Sequence, residues 1–444
     1  MTIMSFWRHV PICLWGEMIP ILQSGPARKA AIAGLSVLLT LSAPLFLWAP
    51  VQASILFMLM ALLSLPLARP NRHGWIVFAG ILAAVGLYLG WAALGWIWAD
   101  QPQLIGDRIM KFLIGLPLAF LLFCLPGGAF GGGRSLLSLL VAGYFVAAAF
   151  LLADLATGLG ISEFYSQWKG EGYVSNMLKP GSSIILILSV MLGFAAWHQQ
   201  RHRLALLVGL CGVGVLLHPS IMHAAKLALP VALAGAVLIR LAPRSGFLAL
   251  SLLAGLLLLV MPFVLTPQNL APLLEAGVPF PPSLLHRLAI WDFARGLVDQ
   301  AFWAGHGLGS ARFFGEGQVA TLESLPEIYQ THGVWREYLA GIKPAIMPLH
   351  PHNLGLQILL ETGMIGAVLF CGLLVTVFKN IEKRLGPAGM RAAFPTLLMI
   401  VVMGNFSFSI WQSWWLATQF LLGAFLFLLL DQRTSEKPVI ENGG

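Results

Sequence analysis

Two histidines, His350 and His352, stand where a long polar stretch gives way to an apolar helical run, within the segment that begins at Leu349 and ends at Gly366. A neutral imidazole accepts a proton near physiological pH, and at a water-membrane boundary it meets both a lipid-linked and a hydrophilic substrate. Cations are expected on the same face: Lys179 at the outer mouth of one span, Lys226 about one turn inside another, and Arg287 in the polar stretch. A base plus cations, without an acidic metal cluster, suits metal-free transfer of a group away from a diphosphate. Arginine would neutralise the leaving phosphates by bidentate contacts and lysine as a point charge. Histidine would take the proton of the attacking hydroxyl.

The elements that must position these groups follow from composition. The 444 residues are 58% hydrophobic and 10% charged, far below the charge content of about 25% usual in soluble domains. Spans of about 20 apolar residues recur along the chain. The expectation is an all-α polytopic membrane protein with about twelve transmembrane helices. Residues 1–30 form a cytoplasmic or interfacial lead-in, 31–266 carry helices 1–9, 267–352 form a long helical periplasmic loop, 353–430 carry helices 10–12, and 431–444 are a cytoplasmic tail. The lead-in has no cleavable signal pattern, because Pro11, Glu17 and Pro20 interrupt its apolar run.

The net charge of +8 invites a nucleic-acid reading, but sixteen of the 26 basic residues fall on one side of that topology. The bias of short loops sets orientation, so the excess is a topological signal and no nucleic-acid partner is implied. Cys13, Cys124, Cys211 and Cys371 all lie in, or on the cytoplasmic side of, the spans, which implies no disulfide framework and no metal site.

Several stretches have bland readings. Trp91, Trp96 and Trp98 read as an aromatic belt leading to Asp100. Gly127 to Gly133 reads as a cytoplasmic turn, since no strand precedes it to make a phosphate cradle. His218 and His223 read as interfacial or packing histidines. Leu288, Trp291 and Leu297 share one face of a helix expected to lie on the membrane, and the glycines at 305, 307 and 309 read as a flexible turn. Glu323, Glu327, Arg336 and Glu337 read as a solvated face. Glu361 falls about 13 Å along the tenth span, where a carboxyl must be protonated or paired. Asn405, Ser407, Ser409, Gln412 and Ser413 form a polar stripe, with Trp411, Trp414 and Trp415 at the outer hairpin.

His352-Asn353, nine residues, then Gly363-Met-Ile-Gly366 resembles the signature of the O-antigen ligase family of polytopic bacterial membrane proteins, which includes related polysaccharide polymerases. A second block, Arg287-Leu-Ala-Ile-Trp291 with Gly305-His-Gly-Leu-Gly309 behind it, occupies the family's expected place in the outer loop. The resemblance covers about residues 170–430. Where family members often carry arginines in middle spans, this chain has Lys179 and either His223 or Lys226, so charge is kept and bidentate geometry lost.

The resemblance implies a GT-C-like fold in the bacterial inner membrane, with transfer of a glycan from an undecaprenyl-diphosphate carrier to lipid A-core on the periplasmic side and no cofactor. It implies His352 as general base, Arg287 and Lys179 as diphosphate binders, and Lys226 and His350 in support. Trp291, His223, Asn353 and Glu361 are secondary candidates. A polymerase, extending another carrier-linked glycan, shares these residues. A transporter would use midplane charges and repeated broken helices, and the cations here gather at one face instead.

Overall fold

In lipid every backbone N–H and C=O needs an internal partner, and helices supply one within each segment. The computed structural model describes residues 25–430 except 71, 170–173, 243–244, 279, 281, 322–326, 331–332, 334–335 and 337–344. Most of the 1–30 lead-in, the 431–444 tail, Glu323, Glu337 and Cys13 therefore lie outside the described residues. Among those described there is no β-strand, and eight helices are long and apolar enough to cross a membrane.

The helices in order are α1 Gly25–Trp48, α2 Ala53–Ser64, α3 Arg72–Leu94, α4 Pro102–Phe123, α5 Gly133–Ala156, α6 Gly160–Lys169, α7 Val174–His198 and α8 His202–Leu216. They continue as α9 His223–Leu241, α10 Gly246–Gly255 with a π-helical extension to Val260, α11 Pro267–Glu275, α12 Pro282–Gln300, α13 Leu354–Phe406 and α14 Ser413–Leu430. One apolar cluster joins α1, α2, α5, α7, α9 and α14. A second joins α12, the outer half of α3 and the first part of α13.

Helix α13 is not one rod. A straight 53-residue helix would run about 80 Å. Yet His352, just before it, bonds to Ser407, just after it, at 3.0 Å. The chain folds back at Gly386 (φ 64°, ψ −179°), and Gly363 (φ 66°, ψ −172°) makes a first break near the outer end. The expected tenth span thus opens with a short helix, 354–362, and Glu361 sits at its end rather than along a continuous span.

Residues 302–309 thread against that break. His306 N–H donates to Leu360 O at 2.8 Å and Gly307 N–H to Glu361 O at 2.9 Å, while Met364 N–H donates back to Phe302 O at 2.8 Å. Trp91 Nε1 donates to Thr362 O at 2.8 Å and Trp98 Nε1 to Gly305 O at 3.0 Å. Two expectations change. The glycines at 305, 307 and 309, all at positive φ, form a pinned wedge rather than a flexible turn, and Trp91 and Trp98 brace the break instead of serving only as a belt.

Helix α12 also differs from its expectation. Leu288, Trp291, Ala294 and Val298 are buried in the second cluster beside Leu356, Ile358 and Leu359, so its apolar face packs on protein rather than on the membrane. Elsewhere, His218 Nε2 donates to Asp154 at 3.0 Å, and Asp154 also accepts from Ser162 N–H at 2.8 Å and from the Ser162 hydroxyl. His218, read as a packing residue, is a buried tie between α5, α6 and the α8–α9 turn.

At Gly363 a Cβ would overlap the Trp303 carbonyl and occupy a left-handed backbone, whereas at Gly372 it would meet nothing within 4 Å. Gly363→Ala should cost about 2 kcal/mol or more, lowering the melting temperature of purified protein by several degrees. Gly372→Ala should be neutral or slightly stabilising. Equal melting temperatures for the two variants would contradict the wedge.

Candidate functional site

The histidine pair is held by the cap of α13. Asn353 Oδ1 accepts from Leu356 N–H at 3.1 Å, closing the first helical turn. The preceding residue, His352, has φ 50°, a conformation uncommon for a residue with a Cβ. Three bonds fix it. Trp291 Nε1 donates to Pro351 O at 2.9 Å, His352 N–H donates to His350 Nδ1 at 3.2 Å, and His352 Nδ1 lies 3.0 Å from Ser407 O.

The partners assign the tautomers. A carbonyl only accepts, so His352 Nδ1 carries the hydrogen and, in the neutral ring, Nε2 keeps its lone pair. His350 is the opposite case, since its Nδ1 accepts from a backbone N–H and its Nε2 carries the hydrogen. The two rings are 4.2 Å apart between centroids. The site thus pairs one acceptor nitrogen with one donor nitrogen.

Electrostatics keep both rings neutral. Burial pushes the His352 imidazole down to about 4, with the nearby Arg287 charge acting in the same direction and the Ser407 carbonyl opposing. Burial also drives His350 well below the ordinary histidine value, aided by His352 and Arg287. Arg287 is one helical turn before Trp291, so α12 aims its cation from the same face that holds the histidine loop. The Arg287 guanidinium is itself half-buried, and burial lowers its pKa. Among the described residues it makes no ion pair within 4 Å.

The remaining expected cations come from α7 and α9. Gly181 packs its α-carbon against the Phe46 and Leu47 carbonyls at the C-terminal end of α1, which sets the height of Lys179 two residues earlier. Ser182 Oγ donates to Ser220 O at 3.2 Å, and Met222 N–H donates to Ser183 Oγ at 3.3 Å, tying the α8–α9 turn to α7. Lys179, Lys226 and Arg287 all lie within electrostatic reach of His223. Six of the expected residues are thus connected through Arg287: His350 and His352 on one side of it, and His223 with Lys179 and Lys226 on the other.

Glu361 belongs beside this group rather than in it. Its carboxylate accepts from Gln357 Nε2 at 3.1 Å, Gly309 N–H at 2.9 Å and the Trp411 indole. Gln357 also donates to Ser409 Oγ at 2.8 Å. The buried carboxylate thus staples the 302–309 wedge, the short helix and the 407–412 turn together. Sequence reasoning missed Gln357 as its partner, and it missed Arg108 of α4, whose charge acts on Glu361, and Lys111, whose charge acts on Arg108. Their charges beside Asp107, in a helix that turns apolar after them, were the available signal.

No family model matches the chain. Curated relatives do. A Rickettsia felis protein named "Putative polysaccharide ligase" is 25% identical over 376 residues, covering 80% of this chain and 81% of that protein. A similarly named Rickettsia prowazekii protein is 29% identical over 196 residues, 44% of this chain and 43% of its own length. A third, from Rickettsia bellii, is 31% identical over 160 residues, 36% of this chain and 34% of its own length. The chain thus spans less than half the length of the latter two relatives. It is similar to proteins whose names describe the joining of glycans.

The two buried imidazoles have a consequence for stability. Folded, His352 titrates at about 4, whereas an unfolded histidine titrates near 6.5. A depressed folded value means the neutral form's stabilisation is present above about 6.5 and is lost as pH falls toward 4. The melting temperature should therefore drop by several degrees between pH 7.5 and 5, and the drop should shrink in His350→Gln/His352→Gln. Parallel pH profiles for the two proteins would contradict neutral burial.

Proposed function

We propose that this chain is a glycosyltransferase of the O-antigen ligase type, with about twelve crossings of the bacterial inner membrane and its site on the periplasmic side. The donor is a glycan on undecaprenyl diphosphate and the acceptor is the sugar of lipid A-core. The observation that carries the reading is the bond from His352 Nδ1 to the Ser407 carbonyl, which leaves Nε2 as an acceptor beside Arg287. Similarity to proteins named for polysaccharide ligation supports the glycan-transferring class.

In this reading the acceptor hydroxyl attacks the anomeric carbon of the donor glycan and its proton passes to His352 Nε2. The bond from that carbon to the phosphate oxygen breaks, and undecaprenyl diphosphate leaves with the electron pair. Arg287, Lys179 and Lys226 neutralise the departing charge without a metal ion, and partial burial strengthens each contact. His350 donates from Nε2, a role suited to a phosphate or sugar oxygen. Trp291 and Asn353 hold the histidine loop, and His223 lines the cationic side.

A base that titrates at about 4 is weak, and the donor remedies this. An anionic diphosphate beside Arg287 cancels the charge that helps depress His352, so its affinity for a proton rises in the complex. The acid limb of kcat should therefore lie at higher pH than that of kcat/KM, because the first reports the complex and the second the free enzyme. Coincident limbs would contradict this coupling.

The direct test supplies purified protein in liposomes with an undecaprenyl-diphosphate glycan, offering lipid A-core and a second carrier-linked glycan as competing acceptors, with chelator present. Product masses are the readout. Glycan on lipid A-core, lowered about 100-fold or more in His352→Ala, is expected. Lengthened carrier-linked glycan would make the protein a polymerase, and unchanged transfer by His352→Ala would remove the base.

A further inference from the structure

Three further cations, Arg108, Lys111 and Arg312, lie near one another apart from the group around His352. Arg108 and Lys111 are three residues apart on the outer part of α4, hence on one face. Lys111 Nζ donates to Trp411 O at 2.8 Å. Arg108 Nε is shielded from solvent and has no hydrogen-bond partner among the described residues, and a Cβ on Gly309 would come within 3.3 Å of it. Arg312, exposed, is within electrostatic reach of both.

The nearby carboxylates do not pair with them. Glu361 already accepts from Gln357, Gly309 and Trp411, and Asp107 is exposed on the same helix. Among the described residues the ion pairs within 4 Å are His218–Asp154 and Arg295–Asp292. Glu361 and Asp107 act on these cations from a distance, yet two half-buried cations and a third nearby form no ion pair within 4 Å among the described residues, in an apolar setting where such charge is costly.

We propose that Arg108, Lys111 and Arg312 form a second anion site, which takes a phosphomonoester of the lipid-borne acceptor. This rests on the reading of the chain as a two-substrate glycan transferase. The donor diphosphate is met by Arg287, Lys179 and Lys226, so a separate cationic set calls for a second anionic substrate. A phosphomonoester carries about −1.5 to −2 charge at pH 7, which three cations match. Met110, Leu113 and Ile114, beside these cations on α4, are more than half exposed and present an apolar surface to acyl chains. One short stretch links the two sites: Ser407 O holds His352, Ser409 Oγ holds Gln357, and Trp411 O holds Lys111. An acceptor anchored at Arg108 and Lys111 would therefore lie along the turn that also orients the base.

The test reads binding without turnover, so its failure is separable from failure of the transfer assay. The full chain in phosphatidylcholine nanodiscs is titrated with a bisphosphorylated, acylated glucosamine disaccharide and with the same lipid after phosphatase treatment. The wild type should bind the phosphorylated form at least 10-fold more tightly. Arg108→Gln/Lys111→Gln should lose that preference while binding undecaprenyl diphosphate as before. Arg312→Gln, a surface change that should not disturb folding, should lower the preference about 3-fold. Equal affinity of the wild type for both forms would overturn the proposal. So would loss of undecaprenyl diphosphate binding in a double variant that melts normally, or equal displacement by phosphatidylglycerol, which would mark a site for bulk anionic lipid.

Discussion

The break at Gly363 is the constraint on which the rest depends. Interrupting an apolar helix leaves carbonyls and N–H groups without their usual partners. Residues 302–309 and the indoles of Trp91 and Trp98 supply those partners from other parts of the chain. The break therefore forms only when residues 302–309 are docked, and docking in turn fixes α12. With α12 in place, Trp291 holds the Pro351 carbonyl and Arg287 faces the two imidazoles. A single irregularity in one helix thus couples residues 302–309 and α12 to the position of the proposed base.

The same coupling explains the buried polar groups around it. Glu361, Gln357 and Ser409 would each be costly alone in an apolar setting, but together they satisfy one another and the wedge backbone. Their arrangement leaves the short 354–362 helix rigid, so the left-handed backbone at His352 has a fixed base to push against. Strain at that residue persists because its surroundings over-determine it.

Part of this was legible in the sequence. The long apolar runs implied an all-helical membrane protein, and His352, Asn353, Gly363 and Gly366 matched a family signature, but the span was expected to run unbroken through Gly363, where the structure has a break. The amphipathic pattern of α12 was visible, but pattern alone does not distinguish a helix face packed on lipid from one packed on Leu356 and Leu359. Trp91 and Trp98 read as a belt because their partners are more than 200 residues away. Arg108 and Lys111 were visible as charges, but their neighbours Gly309 and Trp411 come from distant segments. What the sequence lacked was long-range contact, and the site is built almost wholly of it.

The central claim is that His352 holds its hydrogen on Nδ1 and presents a bare Nε2. Nitrogen-15 NMR of histidine-labelled protein in nanodiscs, with the His352 signals assigned by their loss in His352→Gln, measures this directly. A protonated Nδ1 and an unprotonated Nε2 at pH 7 are the predicted result. A protonated Nε2, whether in the other tautomer or in an imidazolium, would contradict the account.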